Sequence, residues 1–383
     1  MNRHDGRKIL FVATVARHFY YFHLPVFKML ATSGWQVDAA ARVDLNAALP
    51  YTNHVFDLPF ARSPYNAQNL CAYRQLRKIC KEGRYDIVHC HTPVGGLLGR
   101  LAARGTGARV IYTAHGFHFC KGAPLRNWLM YLPAEWLMAW LTDTLITINE
   151  EDFDFAKRHL HAKHTAHVHG VGCDINAFGG MARTEEQKDV LRLIYVAELN
   201  ANKNQGFLIR SMPDILQAYP NVRLLLAGSD NLSGFYQSLC NKLDLQSHVD
   251  FLGERADIAA LLRTCDVYVA SSLREGLPMN VLEAMASGLP VVAVQNRGHA
   301  ALVEHEATGL LVPKNDSAAF AAAVARLLGD ASMRNAFGQA GRERAKLFSR
   351  GRVLRELREI YDSSSFSEEK EAKRLFPASR GHF

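Results

Sequence analysis

Short apolar runs alternate with longer helical patterns along most of this chain, and this alternation constrains its fold more than any other feature. The run Lys8–Val15 is a continuous apolar run, and Asp86–His91 and Arg109–Thr113 are predicted as further strands. Such runs are typical of strands covered on both faces of a parallel sheet. After the first run we predict a loop at Ala16–His18 and a helix at Phe19–Thr32. The pattern predicts doubly wound α/β structure, whose ligands bind beyond the carboxyl ends of the strands.

A chain of 383 residues is too long to fold around a single hydrophobic core of ordinary size, so we predict two domains. A second alternating set begins at Leu191–Val196, and the boundary is expected near Gly170–Asp189. In this set Ser332 is predicted to open one of the last helices. We predict a first domain over residues 1–172, a second over residues 173–349, a helix at 350–362 and a flexible, serine-rich tail at 363–383.

The positive charge of the chain is concentrated in its first part. Residues 1–172 carry 20 Lys and Arg against 12 Asp and Glu, whereas the rest carries 25 of each. A basic half indicates an anionic partner, which could be a lipid headgroup, a phosphorylated acceptor or nucleic acid. An ordinary solvated basic surface is the alternative.

The seven cysteines include no Cys-x-x-Cys pair, which argues against a disulfide framework and against a structural zinc site. A reduced, cytoplasmic environment is therefore expected. The first apolar run is too short for a signal peptide, and no run is long and clean enough to predict a spanning helix. The histidines between residues 159 and 169 lack neighbouring carboxylates at ligand spacing, so we interpret them as surface residues.

The segment Leu125–Ile148 combines an apolar helical pattern with three of the four tryptophans. Arg126, Pro133 and Glu135 interrupt it, so it is not expected to span a bilayer. Two interpretations remain open. The helix could rest in a membrane interface, or it could be buried against the sheet.

The stretch Ser271–Pro290 carries the clearest functional pattern. It follows an apolar run and continues as a loop and a helix, with Pro278 suited to the first helical position and Gly288 to the residue after the helix end. The loop would bring the Glu275 carboxylate and free N–H groups to the beginning of a helix, which is a binding site for phosphate. Glu283 lies further along the same helix. Two carboxylates around a phosphate site suit a sugar on one side of a diphosphate and a ribose on the other.

This extended string resembles the donor-binding signature of the retaining glycosyltransferases of family four. The resemblance covers roughly residues 8–361 and is most specific around residues 271–312. It implies the GT-B fold, in which two Rossmann-like doubly wound domains face a central cleft and the last helix returns to the first domain. The segments Thr113–Phe119 and Leu125–Glu150 are similar to those of bacterial exopolysaccharide and capsule glycosyltransferases that act on undecaprenyl-diphosphate sugars.

The resemblance implies roles for individual residues. Glu275 and His115 are the candidate catalytic residues, with Glu275 holding sugar hydroxyls and His115 orienting the sugar. Glu283 would grip the ribose diol. The remaining donor-binding candidates are Lys203, Gly276, Leu277, Met279 and Asn280. No protein nucleophile is identifiable, which agrees with the front-face displacement proposed for the family. No Asp-x-Asp string occurs in a strand-edge loop, so metal-independent transfer is implied, with no metal site and no cofactor.

Two features depart from the family pattern. Glu198 stands where family members commonly carry an arginine, which removes a phosphate contact; Arg274 or Arg297 is the hypothetical substitute. Ala16 and Arg17 replace small residues of the loop on the acceptor side. The acceptor-side candidates are Arg17, His18 and His91.

We therefore expect a cytoplasmic glycosyltransferase that uses a nucleotide-diphosphate sugar, with UDP favoured. Its acceptor would be a glycan or an undecaprenyl-diphosphate-linked sugar in cell-surface polysaccharide synthesis, and contact with the inner face of the membrane is part of this hypothesis. Nucleic acid is not an expected partner. A UDP-sugar 2-epimerase of the same fold is one alternative, although Ala13–Ala16 replaces the Gly-Thr-Arg-Pro string usual in those enzymes. A non-catalytic sugar-nucleotide-binding protein is the other.

Overall fold

A computed structural model of the chain describes residues 6–44, 48–120, 122–179 and 190–363. The tail predicted to be flexible lies outside the described residues, except for Ser363. Residues 180–189, which belong to the expected domain boundary, lie outside them as well.

Two parallel sheets organise the described residues. The first contains seven strands, β1 (Lys8–Val15), β2 (Gln36–Arg42), β3 (His54–Asp57), β4 (Ile87–His91), β5 (Arg109–Ala114), β6 (Thr144–Thr147) and β7 (His164–His167). The second contains six strands, β8 (Arg192–Val196), β9 (Arg223–Ala227), β10 (Val249–Gly253), β11 (Val267–Ala270), β12 (Val291–Val294) and β13 (Gly309–Val312). The predicted fold class, two doubly wound α/β domains, is confirmed.

Helices connect the strands of each sheet. The first half contains α1 (Ala16–Phe22), α2 (Leu24–Thr32), α3 (Gln68–Gly83), α4 (Pro93–Ala103), α5 (Leu125–Ala139) and α6 (Glu150–His159). The second half contains α7 (Ile175–Phe178), α8 (Gln205–Ala218), α9 (Phe235–Lys242), α10 (Ile258–Arg263), α11 (Met279–Ala286), α12 (Arg297–Leu302), α13 (Ser317–Gly329) and α14 (Ala331–Ala345). A short 3₁₀ helix and α15 (Arg350–Asp362) follow.

The order of the strands positions the candidate site. The first sheet runs β3-β2-β1-β4-β5-β6-β7 and the second β10-β9-β8-β11-β12-β13. The order therefore reverses between β1 and β4 and again between β8 and β11. Ligands of open α/β sheets bind at such switch points, in the crevice outside the carboxyl ends of the strands.

The central strands are buried because they are covered on both faces. Every residue of β4 and of β11 is buried, and large apolar side chains of β1 fill the layers on both sides of the first sheet. The last helix, α15, packs on this first half rather than on the second. Its Val353, Leu357 and Tyr361 lie in the same apolar cluster as Ile9 and Phe27.

Several local predictions were wrong. Ala16–His18 is not a loop but the first turn of α1, and His23 separates α1 from α2. Pro278 precedes α11 with extended ψ of 108° instead of opening it. Asp330, whose side chain accepts from the N–H of Met333, caps α14, which begins at Ala331, one residue before the predicted Ser332. The strands β3, β12 and β13 had not been predicted individually.

Candidate functional site

The carboxyl ends of the two sheets face one cavity of about 560 Å³. Helix α1, which directly follows β1, and the segments after β4 and β5 line it from the first half, and loops after β8 and β11 line it from the second. Its lining includes eight residues predicted to bind or process a donor or acceptor: His18, His115, Lys203, Glu275, Gly276, Leu277, Met279 and Asn280. The structure therefore brings together residues that are up to 262 positions apart in the sequence.

Lys203 and Glu275 form an ion pair in this cavity. The Lys203 Nζ lies 2.6 Å from Glu275 Oε1, and both side chains are mostly buried, with exposed fractions of 23% and 14%. The Ser271 hydroxyl donates to the Lys203 carbonyl at 2.8 Å, which ties the loop after β8 to the loop after β11. The cation and the carboxylate are thus held side by side by the backbone around them.

The beginning of α11 faces the same cavity. Pro278 makes no side-chain cap, so the first N–H groups of the helix, on Met279 and Asn280, are available to a ligand. The Asn280 side chain is turned away to the backbone, because its Nδ2 donates to the Val196 carbonyl at 2.7 Å. A helix that starts with free N–H groups and a positive dipole end favours an anion beside Lys203.

Glu283 lies one turn further along α11 and is largely buried. No hydrogen bond to its carboxylate occurs within the described part of the chain. Burial raises the pKa of Glu283 to about 7. Glu283 is not among the residues that line the cavity. Its carboxylate has unused acceptor positions, and accepting two hydrogen bonds would recover part of the solvation that burial removes.

The two halves touch at two glycines. A Cβ on Gly276 would collide with the carbonyl oxygen of His115, and Gly116 has a φ of +126° with Gly276 Cα 3.0 Å from the place of its own Cβ. Only glycine allows this approach of the two backbones and this φ. The loop that carries Glu275 is in this way fixed directly against the loop that carries His115.

The histidines of the first half lie behind this contact. His115 directly follows β5, and its Nε2 is 3.2 Å from Nδ1 of His91, which ends β4. His91 is only 1% exposed and lies behind His18 and His115 rather than in the cavity wall. Arg17, in contrast, is exposed and paired with Asp44 at 3.1 Å, outside the cavity lining.

The residues that depart from the family pattern occupy different places. Glu198 lines the cavity, and its carboxylate accepts from Asn231 Nδ2 at 3.2 Å. Arg297 donates to Asp152, to the Phe117 carbonyl and to the Glu275 carbonyl, so its guanidinium is engaged in structure. Arg274 is exposed and lines a neighbouring cavity, which Arg297 lines as well.

Sequence reasoning missed two contributors to the site. Asp152, in the first turn of α6, accepts hydrogen bonds from the Phe117 N–H and from Arg297. An acidic residue at this place in a helix gives no sequence signal for a partner 145 positions away. His23 lies next to His18, His91 and His115. The positions of these histidines just beyond β1, β4 and β5 could have predicted that group.

One side of α5 exposes a strip of apolar side chains. Leu125, Leu129, Trp136 and Trp140 have exposed fractions of 73%, 71%, 42% and 61%. At about 100° per residue these four positions fall within roughly 60° of one another around the helix. The other face of α5 packs on the first half, where Trp128, Tyr131 and Leu132 contact the apolar cluster, so the interpretation of a helix buried against the sheet holds for that face. Among the described residues, no helix is both long enough and apolar enough to cross a membrane.

Two family models match the chain, one on each half. The model of the glycosyl transferases group 1 matches residues 181–344. The model described as glycosyl transferase 4-like matches residues 8–149. The two matches divide the chain in the same way as the two sheets do.

Individual relatives match most of the chain. The provisionally assigned glycosyltransferase EpsD of Bacillus subtilis is 46% identical over 93% of this chain and 97% of its own length. The UDP-Gal:alpha-D-GlcNAc-diphosphoundecaprenol alpha-1,3-galactosyltransferase of Escherichia coli is 30% identical, over 67% of this chain and 69% of its own length.

Solved structures share the architecture. Sucrose-phosphate synthase from Thermosynechococcus elongatus superimposes with a TM-score of 0.78, covering 96% of this chain and 100% of that protein. The identity is 22%, so this likeness concerns the fold.

Proposed function

The chain belongs to the group 1 glycosyltransferases, and we propose that it transfers a sugar from a UDP-sugar to a glycan or to an undecaprenyl-diphosphate-linked acceptor, with retention, in the synthesis of a cell-surface polysaccharide. The observation that carries this proposal is the Lys203–Glu275 pair at the start of α11, 2.6 Å apart at the edge of the cleft. The donor and the lipid-diphosphate acceptor named for the Escherichia coli relative support the choice of substrates.

The diphosphate of the donor would bind at the beginning of α11. The N–H groups of Met279 and Asn280 would donate to its oxygens, and the Lys203 ammonium would neutralise the charge that grows on the departing UDP. Gly276 and Leu277 would bring the loop backbone close to the phosphates. This oriented cation and helix dipole replace a metal ion in the proposed mechanism.

The Lys203–Glu275 pair implies an exchange of partners when the donor binds. The diphosphate carries more negative charge than one carboxylate, so Lys203 would turn toward it. Glu275 would then be free to accept hydrogen bonds from the sugar hydroxyls, while His115 orients the sugar from the opposite wall. Glu283 would accept both ribose hydroxyls of UDP.

We propose attack on the same face from which UDP departs. The bond between the acceptor oxygen and the anomeric carbon forms while the bond to the UDP oxygen breaks, and the acceptor proton passes to that UDP oxygen. This sequence needs no protein nucleophile. Gly116 and Gly276, one from each half, are in contact when the cleft is closed, and this closed arrangement would exclude water during transfer.

The acceptor would approach from the first half, past His18. Arg17 and His91 were also predicted on this side; Arg17 would act from the rim and His91 through its contact with His115. The exposed strip on α5 would rest on the inner face of the membrane and present a lipid-linked acceptor to the cleft.

The proposal is tested with isotope-labelled UDP-hexoses and UDP-N-acetylhexosamines, offered with polyprenyl-diphosphate sugars in the presence of EDTA. We expect label in the lipid product with the donor's anomeric configuration. Lys203→Met should lower kcat by about 10²–10³-fold, the usual loss when one preorganised charge is removed. Lys242→Met, an exposed lysine on α9, is the matched control.

Two results would contradict the proposal. Interconversion of the UDP-sugar without transfer would identify an epimerase, and binding without turnover for every donor and acceptor would identify a non-catalytic binding protein.

A further inference from the structure

Four histidines of the first half form a compact group: His18, His23, His91 and His115. One ring nitrogen from each can be chosen so that all four lie within 4.8 Å of one another. The rings belong to three separate parts of the fold, α1 and its end, the end of β4, and the residue after β5. The switch point of the first sheet thus gathers them at the inner end of the cleft.

The hydrogen bonds of this group are incomplete. His91 is 1% exposed, yet its Nε2 has no partner; the Nε2 of His18 is also buried and unpartnered. Neighbouring His89 provides the contrast, because its two ring nitrogens bond the hydroxyls of Tyr361 and Thr113, each at 2.8 Å. A buried imidazole nitrogen without a partner costs free energy, which a ligand at this point would recover.

The chemistry of the group favours a metal ion as that ligand. Neutral imidazole, the form that predominates for an ordinary histidine at pH 7, is a ligand for zinc, copper and nickel. The cluster contains no carboxylate or carbonyl ligand set of the kind that magnesium and calcium need.

We propose that His18, His23, His91 and His115 form a binding site for a divalent transition-metal ion of the zinc class. A tetrahedral zinc ion with bonds of 2.0–2.1 Å requires ligand nitrogens about 3.3–3.4 Å apart. The four nitrogens lie within 4.8 Å of one another, so they would have to move closer together, which rotation of the two half-buried rings, His18 and His115, would allow. This departs from the expectation, based on sequence, that the protein has no metal site.

The site has a consequence for activity, which rests on the proposed function. His18 and His115 also line the donor cavity. A metal ion that draws both rings inward would remove them from the sugar and acceptor, so the ion would inhibit transfer rather than support it. Metal binding itself does not depend on that proposal.

The site is tested on full-length protein without a histidine tag, stripped with a chelator and titrated with Co²⁺ and then Zn²⁺. We expect one equivalent of Co²⁺ to give the intense visible bands of tetrahedral coordination, and one equivalent of Zn²⁺ to abolish them. His18→Ala and His115→Gln should each weaken metal binding at least tenfold. Loss of a residue that only hydrogen-bonds a metal ligand already costs about tenfold in affinity, and loss of a ligand itself should cost no less. His54→Ala, an exposed histidine on β3, should bind as the wild type does.

A cobalt complex without tetrahedral bands, or binding equally strong in His18→Ala and His115→Gln, would overturn the site. Circular dichroism of each variant confirms that a loss of binding does not come from a loss of folding. Co²⁺ binding without sugar transfer under any condition would leave the metal site standing and contradict the proposed function. Transfer that Zn²⁺ leaves unchanged in a protein carrying one equivalent would contradict the inhibition.

Discussion

Arg297 of the second half donates to Asp152 of the first half, with Arg297 Nη1 2.5 Å from Asp152 Oδ1. The exposed fractions of the two side chains are 12% and 2%. The same guanidinium donates to the carbonyl oxygens of Phe117 and Glu275. One side chain therefore joins α6, the loop after β5 and the loop that carries Glu275, so the arrangement of the cleft depends on it.

Arg297→Met is expected to open the cleft. The change leaves the Asp152 carboxylate buried without its cation, and removing one partner of a buried pair costs about 3–5 kcal/mol. We expect a lower Tm, and an increased radius of gyration by small-angle X-ray scattering. The double variant Arg297→Met/Asp152→Asn should recover part of the Tm because no buried charge remains.

The matched control for this change is Arg255→Met, which removes an arginine from an exposed pair with Asp257. Such pairs contribute little, so Tm should change only slightly. A Tm and radius of Arg297→Met equal to those of the wild type would mean that the Asp152 contact does not hold the halves together.

Gly276→Ala is expected to prevent the closed contact between the halves. The added methyl group would occupy the position of the His115 carbonyl oxygen, and the clash is with backbone, which cannot rotate away. Sugar transfer should fall by at least about 100-fold, because displacing catalytic groups such as Glu275 by about 1 Å typically costs that much in rate. Gly351→Ala, at an exposed helical position with its nearest contact at 3.7 Å, is the control and should retain full activity. Normal transfer by Gly276→Ala would show that catalysis does not need this contact.

Glu283→Gln is expected to weaken binding of UDP alone. The amide offers one acceptor oxygen where the carboxylate offers two, and a hydrogen bond to a charged group contributes about 1.5–3 kcal/mol. Isothermal titration should show an affinity lower by about 10–100-fold. Glu82→Gln, on the exposed face of α3, is the control. Unchanged affinity for UDP would refute the ribose role of Glu283.

The pKa of Glu283 also predicts a pH dependence of stability. Folding raises this pKa from 4.5 to about 7, so protonation of Glu283 stabilises the folded state relative to the unfolded state. The stabilisation is complete below pH 4.5 and is lost as the pH rises through 7. Because the glutamine cannot ionise, the Tm of Glu283→Gln relative to the wild type should be higher at pH 8 than at pH 5. A difference in Tm that is constant over this range would contradict the raised pKa.

The residues that gather around the Lys203–Glu275 pair could be predicted from the sequence as one group, because most of their signals are close together along the chain. Pro278, Gly288 and the apolar positions of α11 are local, and Lys203 directly precedes a helix after a buried strand. The continuous apolar runs likewise predicted the parallel sheets. The short strand β3 escaped prediction because its four residues at the sheet edge are mostly exposed and lack an apolar run.

The relationships between the halves could not be predicted in this way. Arg297 and Asp152 are 145 positions apart, and each alone is an ordinary charged residue at a helix start. The contact of Gly116 with Gly276 depends on how two separately folded sheets dock, which no local pattern encodes. The four histidines were visible individually, but only the strand order places the ends of β1, β4 and β5 beside one another.

The exposed strip on α5 predicts binding to anionic membranes. Its leucines and tryptophans supply apolar area, and the basic first half supplies attraction that salt screens. Vesicles containing phosphatidylglycerol should sediment the protein at low salt and release much of it at high salt. Leu129→Glu/Trp136→Glu should largely abolish sedimentation, whereas Leu70→Glu, which changes a 55% exposed leucine on α3, should not. Equal sedimentation of both variants would exclude this strip as the contact surface. If the wild type does not sediment at all, the protein has no membrane contact of this kind, and a soluble glycan becomes the favoured acceptor.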